Sequence, residues 1–246
     1  TMSEAAGFYI GEDRFIVRKK IVKDLYAMGA VVKIEDYTNK VGYSERTDAV
    51  IEPRLSMQWW CKMEELAKPA LNAVLSEEVE FHPAKFKNLY RHWMENIKDW
   101  CISRQLWWGQ RIPAWYDEQG NLVAVAKTEA EATKTSCKNK LKQDEDVLDT
   151  WFSSGLFPFS TLGWPNQEDP DFQAFFPGSL LETGHDILFF WVARMVMMSL
   201  SLTNQLPFHT VYLHALIRDS DGVKMSKSQG NVIDPLEVID GCNLET

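Results

Sequence analysis

Asp221-Gly222-Val223-Lys224-Met225-Ser226-Lys227-Ser228-Gln229-Gly230-Asn231 is the stretch on which the reading of this chain turns. Gly222 and Gly230 bracket it with residues free to take positive φ, so the segment between them can move without straining a neighbouring element. Lys224 and Lys227 stand three apart and supply two flexible ammonium groups. At ~4 Å and an effective dielectric of ~20, each attracts a phosphate charge by roughly 4 kcal/mol. Ser226 and Ser228 add hydroxyl donors. A clamp of this kind stabilises charge building on a leaving pyrophosphate. Charge alone favours a solvated surface loop; the complete string reverses that in favour of the phosphate grip.

Working outward, Phe208 to Ile217 is an apolar strand candidate that delivers Asp219 and the loop to a sheet edge, and Asp234-Pro235 starts a helix. Upstream, Leu180-Leu181-Glu182-Thr183-Gly184 followed by an apolar run predicts strand, glycine turn and helix start. In a doubly wound α/β sheet a helix N-terminus opposite the strand ends is where nucleotides bind. Gly184 admits a ligand close to the backbone, and Asp186 is suited to accept hydrogen bonds from ribose hydroxyls.

The chain has 246 residues, 45% of them apolar and 25% charged, enough for one large core or a core plus a smaller module. A net charge of −9 excludes a global positive field toward nucleic acid, so any RNA contact is local. Cys61, Cys101, Cys137 and Cys242 form no CxxC pair and read as free thiols of a reducing cytoplasm. No signal peptide opens the chain. Ile187 to Leu202 is short for a membrane span and carries Arg194, so it reads as a buried core helix, with no membrane partner expected. Neither a glycine-rich Walker loop nor GxGxxG occurs. Both ends read as cut from something longer.

Lys224 to Ser228 followed by Gly230-Asn231 resembles the second signature of class I aminoacyl-tRNA synthetases. Three further stretches are similar to valyl-tRNA synthetases: Trp100-Cys101-Ile102-Ser103-Arg104-Gln105-Leu106-Trp107-Trp108-Gly109, Asp146-Val147-Leu148-Asp149-Thr150-Trp151-Phe152-Ser153-Ser154, and Thr183-Gly184-His185-Asp186-Ile187-Leu188-Phe189-Phe190-Trp191. The resemblance covers nearly the whole chain in order. It implies an α/β fold: the second half of a class I Rossmann-like nucleotide-binding domain over residues 53–246, preceded at 1–52 by the tail of an inserted editing domain. It further implies that Lys224, Ser226, Lys227 and Ser228 act on the ATP phosphates and that Gly184 and Asp186 hold the ribose. The backbone around His214 and Leu216 lines the adenine, and Trp151 and Ile187 form opposite walls for the valine side chain. ATP with Mg²⁺, valine and tRNA(Val) are the implied cofactors and partners of a monomeric, cytoplasmic enzyme. An apolar box discriminates poorly against a side chain that merely adds a hydroxyl, for which valyl-tRNA synthetases are themselves the known example. Editing of threonine is therefore part of what the resemblance implies.

Elsewhere the residues predict mainly scaffold. Glu12 to Met28 has helical spacing, with Phe15, Val22, Leu25 and Tyr26 toward one side, Arg18, Lys19, Lys20 and Lys23 elsewhere, and Gly29 as its stop. That basic cluster reads as a solvated face or a tRNA contact. Val31 to Tyr37 predicts a strand, and 39–46 a turn into a second. Lys62 to Leu75 predicts a helix interrupted near Pro69, and Pro83 the first turn of a helix running to about Ile97. Trp59, Trp60, Trp93 and Trp100 suit a core better than base stacking. Trp100 to Arg104 is implied to be a strand of the parallel sheet. Residues 117–143 form a polar excursion with a hairpin at Gln119-Gly120-Asn121. Some relatives bind zinc there through two cysteine pairs; with Cys137 alone, no zinc is expected.

The first class I signature, His-x-Gly-His, matches none of His82, His92, His185, His209 or His214. The expectation is a part of a valine-tRNA ligase that is inactive by itself. A non-catalytic ATP- or tRNA-binding module and a structural piece without activity of its own remain the alternatives.

Overall fold

The computed structural model describes residues 2–44, 47–53, 55–227 and 230–241. The chain divides into two compact units, Thr1–Ser56 and Met57–Thr246.

In the first unit, helix α1 spans Arg14–Ala27, where Asp13 caps it by accepting from the amides of Phe15 and Ile16. Gly29 ends it at φ 70°, as its missing Cβ permits. Only Val17 of α1 is buried, so the apolar side with Phe15, Val22, Leu25 and Tyr26 is exposed. Of the basic cluster, Arg18 pairs with Glu52 and Lys20 with Glu12. The predicted strand over Val31 to Tyr37 does not form. The segment runs extended with Val32 and Ile34 exposed, and no described strand lies beside it to complete a ladder. The following turn yields a single antiparallel bridge, Tyr43 to Val50.

The second unit opens with β1 (Trp60–Cys61), α2 (Glu64–Leu75), β2 (Glu80–His82) and α3 (Phe86–Glu95), then β3 (Trp100–Cys101) and β4 (Ser103–Arg104). The excursion holds β5 (Ala114–Tyr116), β6 (Leu122–Val125), α4 (Glu129–Ser136) and β7 (Lys142–Gln143). After it come β8 (Val147–Leu148), α5 (Thr150–Gly155), α6 (Phe157–Ser160), α7 (Pro170–Phe175), β9 (Gly178–Gly184), α8 (Arg194–Thr203), β10 (Phe208–His214) and α9 (Pro235–Ile239).

The organising sheet is parallel, in the order β2, β10, β9, with Val211 opposite both Phe81 and Leu181. Parallel strands demand crossover connections, here carried by helices. Val211 and Leu213 point into the core while Tyr212 and His214 point away. Against the buried face lies the run through α8, whose Val192, Ala193, Met195 and Val196 are fully buried, together with Ala67, Ala70, Ala73 and Val74 of α2. Small alanines let helices approach closely. The run His185–Thr203 has a mean hydropathy of 1.5 and half of it is buried inside the unit, as expected of a core helix.

Three expectations need correction. Trp100 to Arg104 is not in the parallel sheet: β3 pairs antiparallel with β1, and β4 with β8. The third parallel strand is instead β2, too short at three residues to announce itself by alternation. Helix α2 runs through Pro69 without interruption, because packing of its alanine face outweighs the one hydrogen bond that proline removes. Pro83 lies ahead of α3, where its carbonyl accepts from Phe86 N in a turn leading into the helix.

The excursion forms its hairpin as expected. Asp117 accepts from the amides of Gln119 and Asn121 and pairs with Lys138 at 2.6 Å. The hydrogen bond from Lys138, then that from the Asn121 amide, holds the Asp117 carboxyl down at about 2.

Candidate functional site

Strands β9 and β10 end side by side, with Gly184 in register with His214. Beyond Gly184 the chain turns through a 3-10 turn, His185–Ile187, and a wider π-type turn, Leu188–Ala193, into α8. Beyond His214 it passes Leu216 and enters the lysine loop. Gly184 has φ −66°, so its glycine is a matter of space. A Cβ there would lie 2.6 Å from Asp186 Oδ1, 3.2 Å from Leu216 Cδ2 and 3.7 Å from His214 Cε1. Four of the sequence-predicted residues thus meet at one point on the carboxyl edge of the sheet.

The loop reaches the same point. Lys224 Nζ donates to Asp186 Oδ2 at 2.7 Å. This hydrogen bond is the main cause of a lowered Asp186 pKa, and partial burial opposes it. Gly222 and Gly230 take φ 75° and 69°, in the left-handed region that glycine adopts without strain. Lys227 is exposed, with no side-chain partner among the described residues, and Ser228 lies outside the described residues.

Two residues to which the sequence reading gave no role shape the loop. Asp219 accepts from the amides of Asp221 and Val223 and from Asn231 Nδ2, and the Asn231 bond leads in lowering its pKa. Asn231 Oδ1 accepts from Ser226 N, so one amide side chain ties the two arms of the loop. The signal was local: Asp followed by Ser-Asp-Gly is the composition of a turn closed by an aspartate side chain. His185 stacks on Phe86 with centroids 5.7 Å apart and donates from Nδ1 to the His214 carbonyl at 3.2 Å.

Trp151 belongs to a second place. Asp149 caps α5, accepting from Trp151 N, and Trp151 stacks on Phe190 with centroids 6.0 Å apart and planes at 26°. A cleft of about 640 Å³ opens there, walled by Trp60, Trp93, Trp100, Trp151, Phe190 and Arg194 among others. Ile187, half buried in the 3-10 turn, is not among its lining residues. Asp149 Oδ2 accepts from Trp100 Nε1 at 2.9 Å and pairs with Arg104 at 3.0 Å. Arg194 reaches the same oxygen only at 3.8 Å, and its guanidinium stacks instead on Trp100, 3.8 Å from the ring centroid. Burial pushes the Arg194 pKa down to about 10, with Asp149 opposing, so it stays charged near neutrality.

A larger cavity, about 710 Å³, lies between Trp59, Tyr116 and Asp144 and contains no predicted site residue. Its walls are closed by Trp59 Nε1 and the Tyr116 hydroxyl donating to Asp144 Oδ2, a structural arrangement. Size does not make it the site. Among the described residues, no group of three His, Cys, Asp or Glu side chains is placed to hold a metal.

The sequence profile described as tRNA synthetases class I (I, L, M and V) matches residues 19–246. The chain belongs to the class I tRNA synthetases. This synthetase chain is 56% identical over 240 residues to the valine–tRNA ligase of Dehalococcoides mccartyi, covering 98% of this chain and 27% of that protein. It is 57% identical over 241 residues to the valine–tRNA ligase of Chlorobaculum tepidum, covering 97% and 26%. It therefore spans about a quarter of the length of these curated relatives, which are ligases. Among solved structures, it is similar in fold to Mycobacterium tuberculosis methionyl-tRNA synthetase bound by methionyl-adenylate. The TM-score is 0.58 at 17% identity, over 81% of this chain and 34% of that one. That likeness supports the synthetase fold independently of the sequence match.

Proposed function

We propose that this chain supplies the second half-site of a valine–tRNA ligase. The ligase joins valine to ATP, and the valine carboxylate oxygen attacks the α-phosphorus as the bond to pyrophosphate breaks. The valyl group then passes to a hydroxyl at the tRNA terminus, and AMP leaves. The observation that carries the reading is the Lys224 to Asp186 contact, which brings the cationic loop to the sheet edge where Gly184, His214 and Leu216 meet. The high identity to valine–tRNA ligases over almost the whole chain supports the choice of valine.

In this reading Lys227, with Lys224 and the hydroxyls of Ser226 and Ser228, grips the phosphates and offsets charge on the departing pyrophosphate. Asp186 and Gly184 hold the ribose, and the backbone around His214 and Leu216 lines the adenine. Trp151 is one wall for the valine side chain; Ile187, the other wall that the resemblance implies, stands in the turn beside Asp186 and outside the lining of the Trp151 cleft. Mg²⁺ would accompany ATP and supply charge neutralisation on its phosphates, while Lys224, Lys227, Ser226 and Ser228 of the loop hold those phosphates. Residues 1–52 are the tail of an editing domain that removes threonine. The enzyme is cytoplasmic and monomeric, and with no His-x-Gly-His string this chain is inactive by itself.

Valine-dependent ATP–pyrophosphate exchange tests this. The chain alone is expected to be silent, and activity is expected once the amino-terminal portion of a full-length relative is added in trans. Activity of the chain alone overturns the half-site claim, and silence in both mixtures favours a structural piece. In a full-length ligase carrying this segment, Lys227→Ala is expected to slow activation ~10²-fold or more while leaving valine binding nearly unchanged. Equal losses in both reject the assignment of Lys227.

A further inference from the structure

Arg194 is 6% exposed, and its Nε and Nη1 have no hydrogen-bond partner among the described residues. The reason lies in Asp149. Its Oδ2 is taken by Trp100 Nε1 and Arg104, and its Oδ1 faces the amide of Trp151. Arg194 approaches that carboxylate only to 3.8 Å, beyond hydrogen-bond range. What the guanidinium does contact is aromatic faces: Trp100 at 3.8 Å and Phe190 at 5.5 Å from the ring centroids.

Phe190 and Arg194 are four residues apart on one helical run, which places them on the same side. Phe190 stacks on Trp151. Arg194 is therefore linked to Trp151 by two routes, one through the Asp149 cap at the start of α5 and one through the Phe190 ring. As a core filler such a side chain is a poor choice, because a methionine would occupy the space without desolvating a charge. A planar, stiff cation that stacks on two rings while biasing a buried carboxylate has a different use: it fixes orientation.

We propose that Arg194 is the positioning residue of the Trp151 wall and so a determinant of which aliphatic side chain the cleft accepts. This rests on the reading of Trp151 as the valine-facing wall. Arg194 lines the same cleft, and the role assigned to it is to set the angle and depth of the Trp151 indole that faces the side chain. Loosening it lets the wall yield, which weakens valine and admits the longer isoleucine.

The experiment measures ATP–pyrophosphate exchange in a full-length ligase carrying this segment, with valine, isoleucine and ATP varied separately. Arg194→Met is expected to raise the valine KM about tenfold and to reduce the preference for valine over isoleucine by a similar factor, with the ATP KM within about twofold. Arg194→Lys keeps the charge but loses the plane, and is expected not to rescue. Valine KM and preference both within about twofold of wild type in Arg194→Met overturn the proposal. Equal rises in valine and ATP KM also overturn it, since a merely structural arginine would affect both substrates alike. Should Arg194→Met fail to fold, Phe190→Leu carries the test, its ring being 44% exposed. A valine-only shift of about threefold is expected there, and none overturns the ring route. Trp151→Ala separates the two levels. A raised valine KM in Trp151→Ala with none in Arg194→Met defeats this inference alone, whereas no change in Trp151→Ala defeats the reading of the wall and the inference with it.

Discussion

The sheet edge around Asp186 and the aromatic cleft around Arg194 both draw on the helical run His185–Thr203, yet they are built on opposite principles. At the edge, Asp186 meets Lys224 with side chains 29% and 60% exposed, in a loop between two glycines with positive φ. In the cleft, Asp149 and Arg194 have side chains only 9% and 8% exposed, locked among Trp100, Phe190 and Trp151. An exposed ion pair exchanges partners at little cost, as a grip on departing phosphates needs. A buried charge with stacked rings resists rearrangement, as reading a side chain by shape needs. The difference teaches that the proposed half-site would separate a loop held by an exposed pair from a cleft held by a buried one.

The strongest way to break that contrast is Asp149→Ala. The carboxylate shared by Arg104 and Arg194 disappears, the Trp100 indole loses its acceptor, and α5 loses its cap. Removing one partner of a buried pair typically costs about 3 kcal/mol or more. Urea denaturation of the chain is expected to show a loss of that size; one below ~1 kcal/mol would mean the cleft is no stiffer than a surface pair.

Gly184→Ala sharpens the contrast from the other side. The new Cβ would stand 2.6 Å from Asp186 Oδ1, the free end of a short side chain, and 3.2 Å from Leu216 Cδ2. The carboxylate must swing away, so the expected cost is modest, about 1 to 2 kcal/mol, while the Lys224 contact is lost. Denaturation gives the first quantity, and the chemical shift of the Lys224 ammonium gives the second. An unchanged lysine signal would show that the edge is not the tight convergence described.

How much of this was legible in the sequence follows the same division. The edge was readable because its parts are strings. Thr183-Gly184-His185-Asp186 and the Lys224 loop each carry their chemistry within a few residues, and parallel strands have to bring such turns to one edge. The cleft was readable only as Trp151. Its supports, Trp100 and Arg194, lie far from Asp149 along the chain, and periodicity says nothing about which core residues will share a carboxylate. The same limit explains the misplaced strand at Trp100 to Arg104 and the missed one at Glu80–His82: two- and three-residue strands are defined by their partners. Pro69 shows the converse, where a strong local rule yields to an alanine face that packs.

The smallest effect is expected at Lys224→Met, and it tests the contrast most directly. Lys224 leads in lowering the Asp186 pKa, so its removal is expected to move that carboxyl back up toward the ordinary aspartate range. A depressed folded-state pKa contributes stability that is present above the unfolded pKa and lost as pH falls through the folded value. The wild-type advantage over the variant is therefore expected near neutrality and absent in acid below the lowered pKa. With Lys224 60% exposed, solvent screening limits it to about 0.5 kcal/mol, shrinking further as salt is raised. Following the Asp186 carboxyl carbon by NMR through an acid titration reads the shift, and denaturation at neutral and acid pH reads the energy. An Asp186 that titrates identically in both proteins would dissolve the contact between loop and sheet edge. A loss of several kcal/mol that salt leaves untouched would make the edge as rigid as the cleft, and a lysine held that firmly would not suit the phosphate grip proposed for it.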